Sequence, residues 1–161
     1  MSPDVGFLEK YELGVAHREK DVRDIVRELR HILRSLGISA RVEHRVKSAA
    51  STWRKMLRYG VDIDGVHDLL AARVIVNTND ECYEVLGRVL ERWPERGMRF
   101  KDYICLPKAN GYRSLHVTFF DGGRPHFELQ IRTEQMHWES MHGTSAHWRY
   151  KTPTDPTMVA A

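Results

Sequence analysis

The chain has 161 residues, 42% hydrophobic and 29% charged, with a formal net charge of +3. That length holds one domain with its own core and little more. The composition is that of an ordinary soluble globular protein, and no stretch is long enough to span a bilayer. Cys82 and Cys105 are too few for a disulfide framework and lack the pair spacing of a metal site, so free thiols in a reducing, cytoplasmic setting are expected.

Along the chain, Val22, Ile25, Val26, Leu29, Ile32, Leu33 and Leu36 recur at three- and four-residue spacings, which predicts an amphipathic helix over 18–36 closed by Gly37. A strand is expected over 38–46, then a helix from Ala49 to Tyr59 stopped by Gly60. Leu69 to Val76 is short, apolar and β-branched, the signature of a buried strand. Asp80 to Trp93 is helical in pattern, with Pro94 beyond its end, and a strand is expected near Arg99–Ile104. Leu115–Phe120 and His126–Ile131 flank Asp121-Gly122-Gly123, a hairpin composition. Pairing 119 with 127 and 117 with 129 gathers Leu115, Val117, Phe119, Phe127, Leu129 and Ile131 on one face. His116, Thr118, Glu128 and Gln130 then share the other. A last helix is expected from Glu134 to Tyr150, with residues 152–161 as a flexible tail. The order predicts a single α/β domain over 1–151, helix-rich at both ends with a mixed sheet between.

Charge is unevenly distributed. Six Lys/Arg face the single acid Glu43 between Arg41 and Arg58, and five face Asp102 between Arg96 and Arg113. Two basic stretches suit one polyanion gripped from two sides, although solvated helix faces would read the same way. In the first stretch Ser51, Lys55 and Arg58 project from one helical face beside Arg45 and Lys47, a set that can hold a triphosphate through point charges and bidentate forks. No Gly-x-x-x-x-Gly-Lys phosphate loop is present. Asp68 and Glu128 are the carboxylates best placed to hold a Mg²⁺ between phosphates, the alternative being a helix cap or a surface charge. Asn110-Gly111 permits a tight turn that presents Tyr112 as a stacking face, with Lys108 and Arg113 nearby. A plain hairpin turn is the bland reading of the same residues.

Several strings carry a resemblance. His44-Arg45-Val46-Lys47-Ser48, Asp68-Leu69-Leu70-Ala71-Ala72-Arg73-Val74-Ile75-Val76, Lys101-Asp102-Tyr103-Ile104 and Pro107 to His116 stand in order. Glu128-Leu129-Gln130-Ile131-Arg132-Thr133 and Ala146-His147-Trp148-Arg149-Tyr150-Lys151 follow. Over about residues 40–151 the chain resembles the synthetase domain of RelA/SpoT proteins, which make the alarmone (p)ppGpp.

The resemblance implies a nucleotidyltransferase-like fold, an α+β mixed sheet flanked by helices, with Mg²⁺ as cofactor, ATP as donor and GDP or GTP as acceptor. It implies that Arg45 and Arg73 sandwich adenine, and that Lys47, Ser51, Lys55 and Arg58 hold donor phosphates. Asp68 would hold Mg²⁺, and Glu128 would lie near metal and 3′-hydroxyl as the activating carboxylate. Tyr112 would stack on the acceptor base through its ring face and not its hydroxyl, so that Tyr112→Phe is expected to be mild. Lys101, Lys108, Asn110, His116 and Gln130 would complete the acceptor site. His67-Asp68 lies inside this motif and does not read as the dyad of a hydrolase domain. His137, His142 and His147, five apart, spread around a helix and do not read as a zinc site. An adenosine nucleotide or the 3′ end of tRNA as acceptor, or a silent nucleotide-binding module, remain alternatives. No membrane partner and no nucleic acid beyond that acceptor is implied, and homo-oligomerisation stays open.

Overall fold

The computed structural model describes residues 3–66 and 68–143. Its first helix, α1, spans Val5–Ser35, beginning well before the expected residue 18. The N-terminal half was hidden because its inward stripe is Phe7, Tyr11, Gly14, Arg18, and the last two are not apolar. An Asp4 cap accepts from the Phe7 N–H at 2.7 Å. Phe7 packs edge-on against Trp53 at 4.8 Å, and the Tyr11 hydroxyl donates to the Lys47 carbonyl at 2.8 Å. Tertiary anchors, not periodicity, hold this half in place.

Strand β1 (Arg41–Val46) starts three residues later than expected, because Ile38 is still tied to the helix end through its N–H to the Leu33 carbonyl. Helix α2 (Ala49–Tyr59) has the expected bounds, with Ser48 as N-cap and Gly60 as C-cap. Strand β2 spans Leu70–Val76. Helix α3 (Asn79–Arg92) opens on a capping box between Thr78 and Glu81. Strand β3 (Met98–Asp102) stops before Ile104, since Asp102 Oδ1 turns the chain by accepting from the N–H groups of Ile104 and Cys105.

Strands β4 (Leu115–Asp121) and β5 (Arg124–Thr133) form the hairpin. Gly122 and Gly123 both have positive φ, 55° and 80°, as a two-residue I′ turn demands. Val117 faces Leu129 and Phe119 faces Phe127, the expected register. Helix α4 is Glu134–His142. It ends at His142 rather than Tyr150; the rest of that expected helix and the 152–161 tail lie outside the described residues.

The five strands order as β1-β2-β5-β4-β3. Only β2 and β5 run parallel; the other neighbours are antiparallel. One sheet face carries Ala72, Val74, Val117, Phe119, Phe127, Leu129 and Ile131, which join Val22, Ile25, Leu29 of α1 and Val85, Val89 of α3 in one core. Phe119 and Phe127 are fully buried and in ring contact at 5.6 Å; truncating either to Ala would cost roughly 3–5 kcal/mol. With the apolar side committed to α1 and α3, the opposite side of the sheet is left for chemistry.

Candidate active site

Strand periodicity places alternate residues on that opposite face, and the registers align them into two cross-strand rows. One row runs Glu43, Arg73, Gln130, His116, Lys101 from β1 through β2, β5 and β4 to β3. The next runs Arg45, Ala71, Glu128, Thr118, Arg99. Every strand thus contributes to one polar surface.

A cleft of about 710 Å³ opens over it, lined among others by Lys55, Asp68, Lys101, Lys108, Tyr112 and Glu128. Asn110, His116 and Gln130 complete the expected acceptor set on its wall, and Arg99 and Tyr103 line it too. A smaller cavity of about 130 Å³ lies between β1 and β2, lined by Glu43, His44, Arg45, Ala71, Ala72, Arg73 and Gln130. The two expected adenine-facing arginines therefore share one cavity, and Gln130 borders both spaces. Lys47, Ser51 and Arg58 line neither cavity: Lys47 Nζ is bonded to Asp68, Ser51 Oγ is bonded to Ser48 and Arg54, and Arg58 is exposed on the last turn of α2. The face of α2 that meets the cleft is Lys55 and Tyr59.

Asp68 sits just before β2 between two ammonium groups. Lys55 Nζ donates to Oδ1 at 2.7 Å and Lys47 Nζ to Oδ2 at 3.0 Å. Burial pushes its pKa up, but the hydrogen bond and charge of Lys55, with Lys47 behind, overcome this and hold it down at about 2. The carboxylate is ionised throughout the physiological range.

Glu128 is 7% exposed on the central strand β5. Gln130 Nε2 donates to its Oε1 at 3.0 Å, and His116 Nδ1 stands 3.6 Å from the same oxygen. Burial lowers the His116 pKa to about 4 against the opposing charge of Glu128, with Lys108, Arg132 and Lys101 adding to the fall, so the imidazole is neutral at pH 7. The Tyr112 hydroxyl lies 2.9 Å from His116 Nε2. With the phenol donating, Nε2 is the acceptor and the ring proton resides on Nδ1, facing Glu128. The Tyr112 hydroxyl thus has a partner in the site, beside the ring face that stacking would use.

The loop that carries Tyr112 is tightly built. Asn110 Oδ1 accepts from the Tyr112 N–H at 3.1 Å, and Gly111 takes a φ of 82° that a side chain would resist. Lys108 Nζ lies 4.8 Å from the Tyr103 ring centroid and 5.3 Å from that of Tyr112. The fully buried Arg132 approaches the Tyr112 ring at 6.0 Å and His137 Nδ1 at 2.7 Å. His137 is engaged there, and His67 and His147 lie outside the described residues. Among the described residues no group of three or more His, Cys, Asp or Glu forms a metal cluster, and no helix is long and apolar enough to cross a membrane.

A family model described as the region found in RelA / SpoT proteins matches residues 44–155. The chain is 44% identical over 135 residues to a guanosine-3′,5′-bis(diphosphate) 3′-pyrophosphohydrolase of Spiroplasma citri, covering 83% of this chain and 18% of that protein. It is 41% identical over 134 residues to a GTP pyrophosphokinase of Myxococcus xanthus, with the same coverage of each. The chain therefore spans under a fifth of the length of these curated relatives. The crystal structure of small alarmone synthetase 2 from Bacillus subtilis superposes with a TM-score of 0.67 at 29% identity, covering 93% of this chain and 86% of that one. A mixed five-stranded sheet with helices packed on it, a site lying on its polar face, and a family match over most of the length lead to one conclusion: the chain belongs to the RelA/SpoT family.

Proposed function

We propose that this chain transfers a diphosphate from ATP to the 3′-hydroxyl of GDP or GTP, making the alarmone (p)ppGpp and releasing AMP. One observation carries the reading: the ionised Asp68, the buried Glu128, Lys55 and the Tyr112–Lys108 loop all line one cleft, beside the smaller cavity between Arg45 and Arg73. The small cavity would take the donor adenine between two guanidinium planes. Lys55 and Lys47 would meet the phosphates, and Tyr112 the acceptor base. The names of the relatives in Myxococcus and Bacillus support the same chemistry.

The residues fit a divalent cation. Asp68 is held ionised by the hydrogen bonds and charges of Lys55 and Lys47, and Glu128 supplies a second hard oxygen donor to the same space. Mg²⁺ accepts one or two carboxylates with phosphate and water oxygens completing its shell; when bound it would neutralise charge on the donor phosphates. Asp68 and Glu128 are the residues that would hold it.

The chain's own groups do the rest. The acceptor 3′-oxygen attacks the β-phosphorus of ATP, its proton passes to the Glu128 carboxylate, and the bond from β-phosphorus to the α,β-bridging oxygen breaks to release AMP. Gln130 and the neutral His116 orient Glu128 from two sides. Lys47 and Lys55, bound to Asp68 in the free protein, turn to the incoming phosphates. Positioning and charge neutralisation account for the catalysis without a covalent intermediate. A cytoplasmic setting belongs to the same proposal, and the free Cys82 and Cys105 support it.

Incubation with labelled ATP, Mg²⁺ and, in turn, GDP, GTP, ADP or tRNA tests the reading. The expected product is a guanosine 3′-diphosphate; a pyrophosphorylated adenosine nucleotide or tRNA would reassign the acceptor, and no transfer to any of them would refute the enzyme.

A further inference from the structure

Glu43 lies outside every quoted motif string, yet among the described residues it is the only carboxylate lining the small cavity. It sits directly opposite Arg73 in the β1–β2 register. Its Oε2 accepts from Arg73 Nη1 at 3.2 Å and its Oε1 from Arg41 Nη1 at 3.1 Å. Arg41 is itself forked onto Glu134 at the start of α4, at 2.9 Å through both Nε and Nη2. From the other side, Arg73 Nε reaches Gln130 Oε1 at a long 3.5 Å.

Two guanidinium groups converging on one small cavity repel each other, and Arg73 is also largely buried, its side chain 18% exposed. Burial lowers the Arg73 pKa, Arg45 lowers it further, and Glu43 is the leading charge acting the other way. An incoming purine is uncharged, so it compensates neither arginine; the counter-charge must come from the protein and must stay when the donor binds. This differs from Lys47 and Lys55, whose charge the donor phosphates can take over.

We propose that Glu43 is a positioning residue of the donor site, holding the Arg73 guanidinium against the cavity in the orientation that grips the donor base, with Arg41 and Glu134 bracing it from outside. The inference rests on the assignment of this cavity to the donor base. It assigns Glu43 no contact with the reacting atoms, so its effect belongs in donor affinity and not in turnover.

Steady-state kinetics of Glu43→Ala, Glu43→Gln, Arg73→Ala and the double variant Glu43→Ala/Arg73→Ala test it. Glu43→Ala should raise the KM for ATP by roughly three- to tenfold, the range of a partly buried ion pair. Turnover at saturation and the KM for the acceptor should stay within about twofold on the same argument. The isosteric Glu43→Gln, which still accepts a hydrogen bond, should fall between wild type and Glu43→Ala, and it guards against a folding defect in the alanine variant. The double variant should be no worse than Arg73→Ala alone. An unchanged KM in both Glu43 variants, with a raised KM in Arg73→Ala, overturns the proposal and leaves the donor-site reading intact. Additive losses in the double variant also overturn it. If Arg73→Ala itself leaves the KM for ATP unchanged, the donor-site assignment fails instead.

Discussion

Replacing Asp68 by Asn removes the negative charge that two lysines share and keeps the side-chain volume. The loss can be worked from the carboxyl's titration. Its pKa falls from an ordinary 3.8 to about 2 in the folded protein, through Lys55 and Lys47 acting against burial. A carboxyl with a depressed folded-state pKa stabilises the fold above its unfolded pKa, and that contribution disappears as pH falls through the folded value. At pH 7 the contribution is about 2 kcal/mol, and the side chain is only 14% exposed, so solvent screening takes little of it. For a domain of this size, Asp68→Asn should melt roughly 4–8 °C below wild type in metal-free buffer at pH 7. The gap should narrow as pH is lowered from 4 towards 2, where the wild-type carboxyl gains its proton. A polyphosphate anion supplied without metal should raise the variant's Tm more than the wild type's, because it meets two ammonium groups that have lost their partner. Diphosphate transfer should be abolished. Melting curves followed by circular dichroism across this pH range decide the matter: a variant as stable as wild type at pH 7, or a deficit independent of pH, refutes the electrostatic account of the triad.

Other perturbations separate the remaining roles. Glu128→Gln should depress turnover by on the order of 10²-fold with both nucleotides still binding, as read by single-turnover kinetics beside calorimetry; surviving turnover would make Glu128 structural. Tyr112→Ala should weaken acceptor binding by removing the stacking face. Tyr112→Phe keeps that face but frees His116 Nε2, so turnover should fall severalfold at near-normal acceptor affinity; wild-type turnover in the Phe variant would deny the hydroxyl a role. Arg45→Ala should raise the KM for ATP more than that for the acceptor, and the reverse would exchange the two base sites. His116, whose pKa burial lowers to about 4, is neutral in the fold while the unfolded chain takes up a proton near pH 6.5. Stability present above pH 6.5 should therefore be lost towards pH 4, by about 3 kcal/mol from this group alone; urea unfolding of wild type and His116→Gln at both pH values would show the dependence shrink in the variant.

What could be read from sequence was local. Helix α2 was bounded correctly because Ser48 and Gly60 are adjacent chemical signals, and the β4–β5 register followed from alternation across a two-glycine turn. The motif strings carried the family and most of the cleft-lining residues. Local pattern failed at the first half of α1, where Gly14 and Arg18 occupy the inward stripe and contacts from Trp53 and Lys47 hold the helix. On α2, spacing alone put Ser51, Lys55 and Arg58 together; of the three Lys55 lines the cleft, with Tyr59 one turn on.

The site itself was decided by tertiary structure. Arg73 and Gln130 are 57 residues apart and become neighbours only through the parallel β2–β5 pairing. That pairing is non-local, so no periodicity within either segment encodes it. It aligns Glu43, Arg73, Gln130, His116 and Lys101 into one row, and it makes Glu43 opposite Arg73 a partner rather than an isolated acid. The same holds for charge: sequence named Asp68, Lys47 and Lys55 separately. The fold brought both ammonium groups within 3.0 Å of one carboxylate, and proximity in a partly buried site, not residue type, set its protonation.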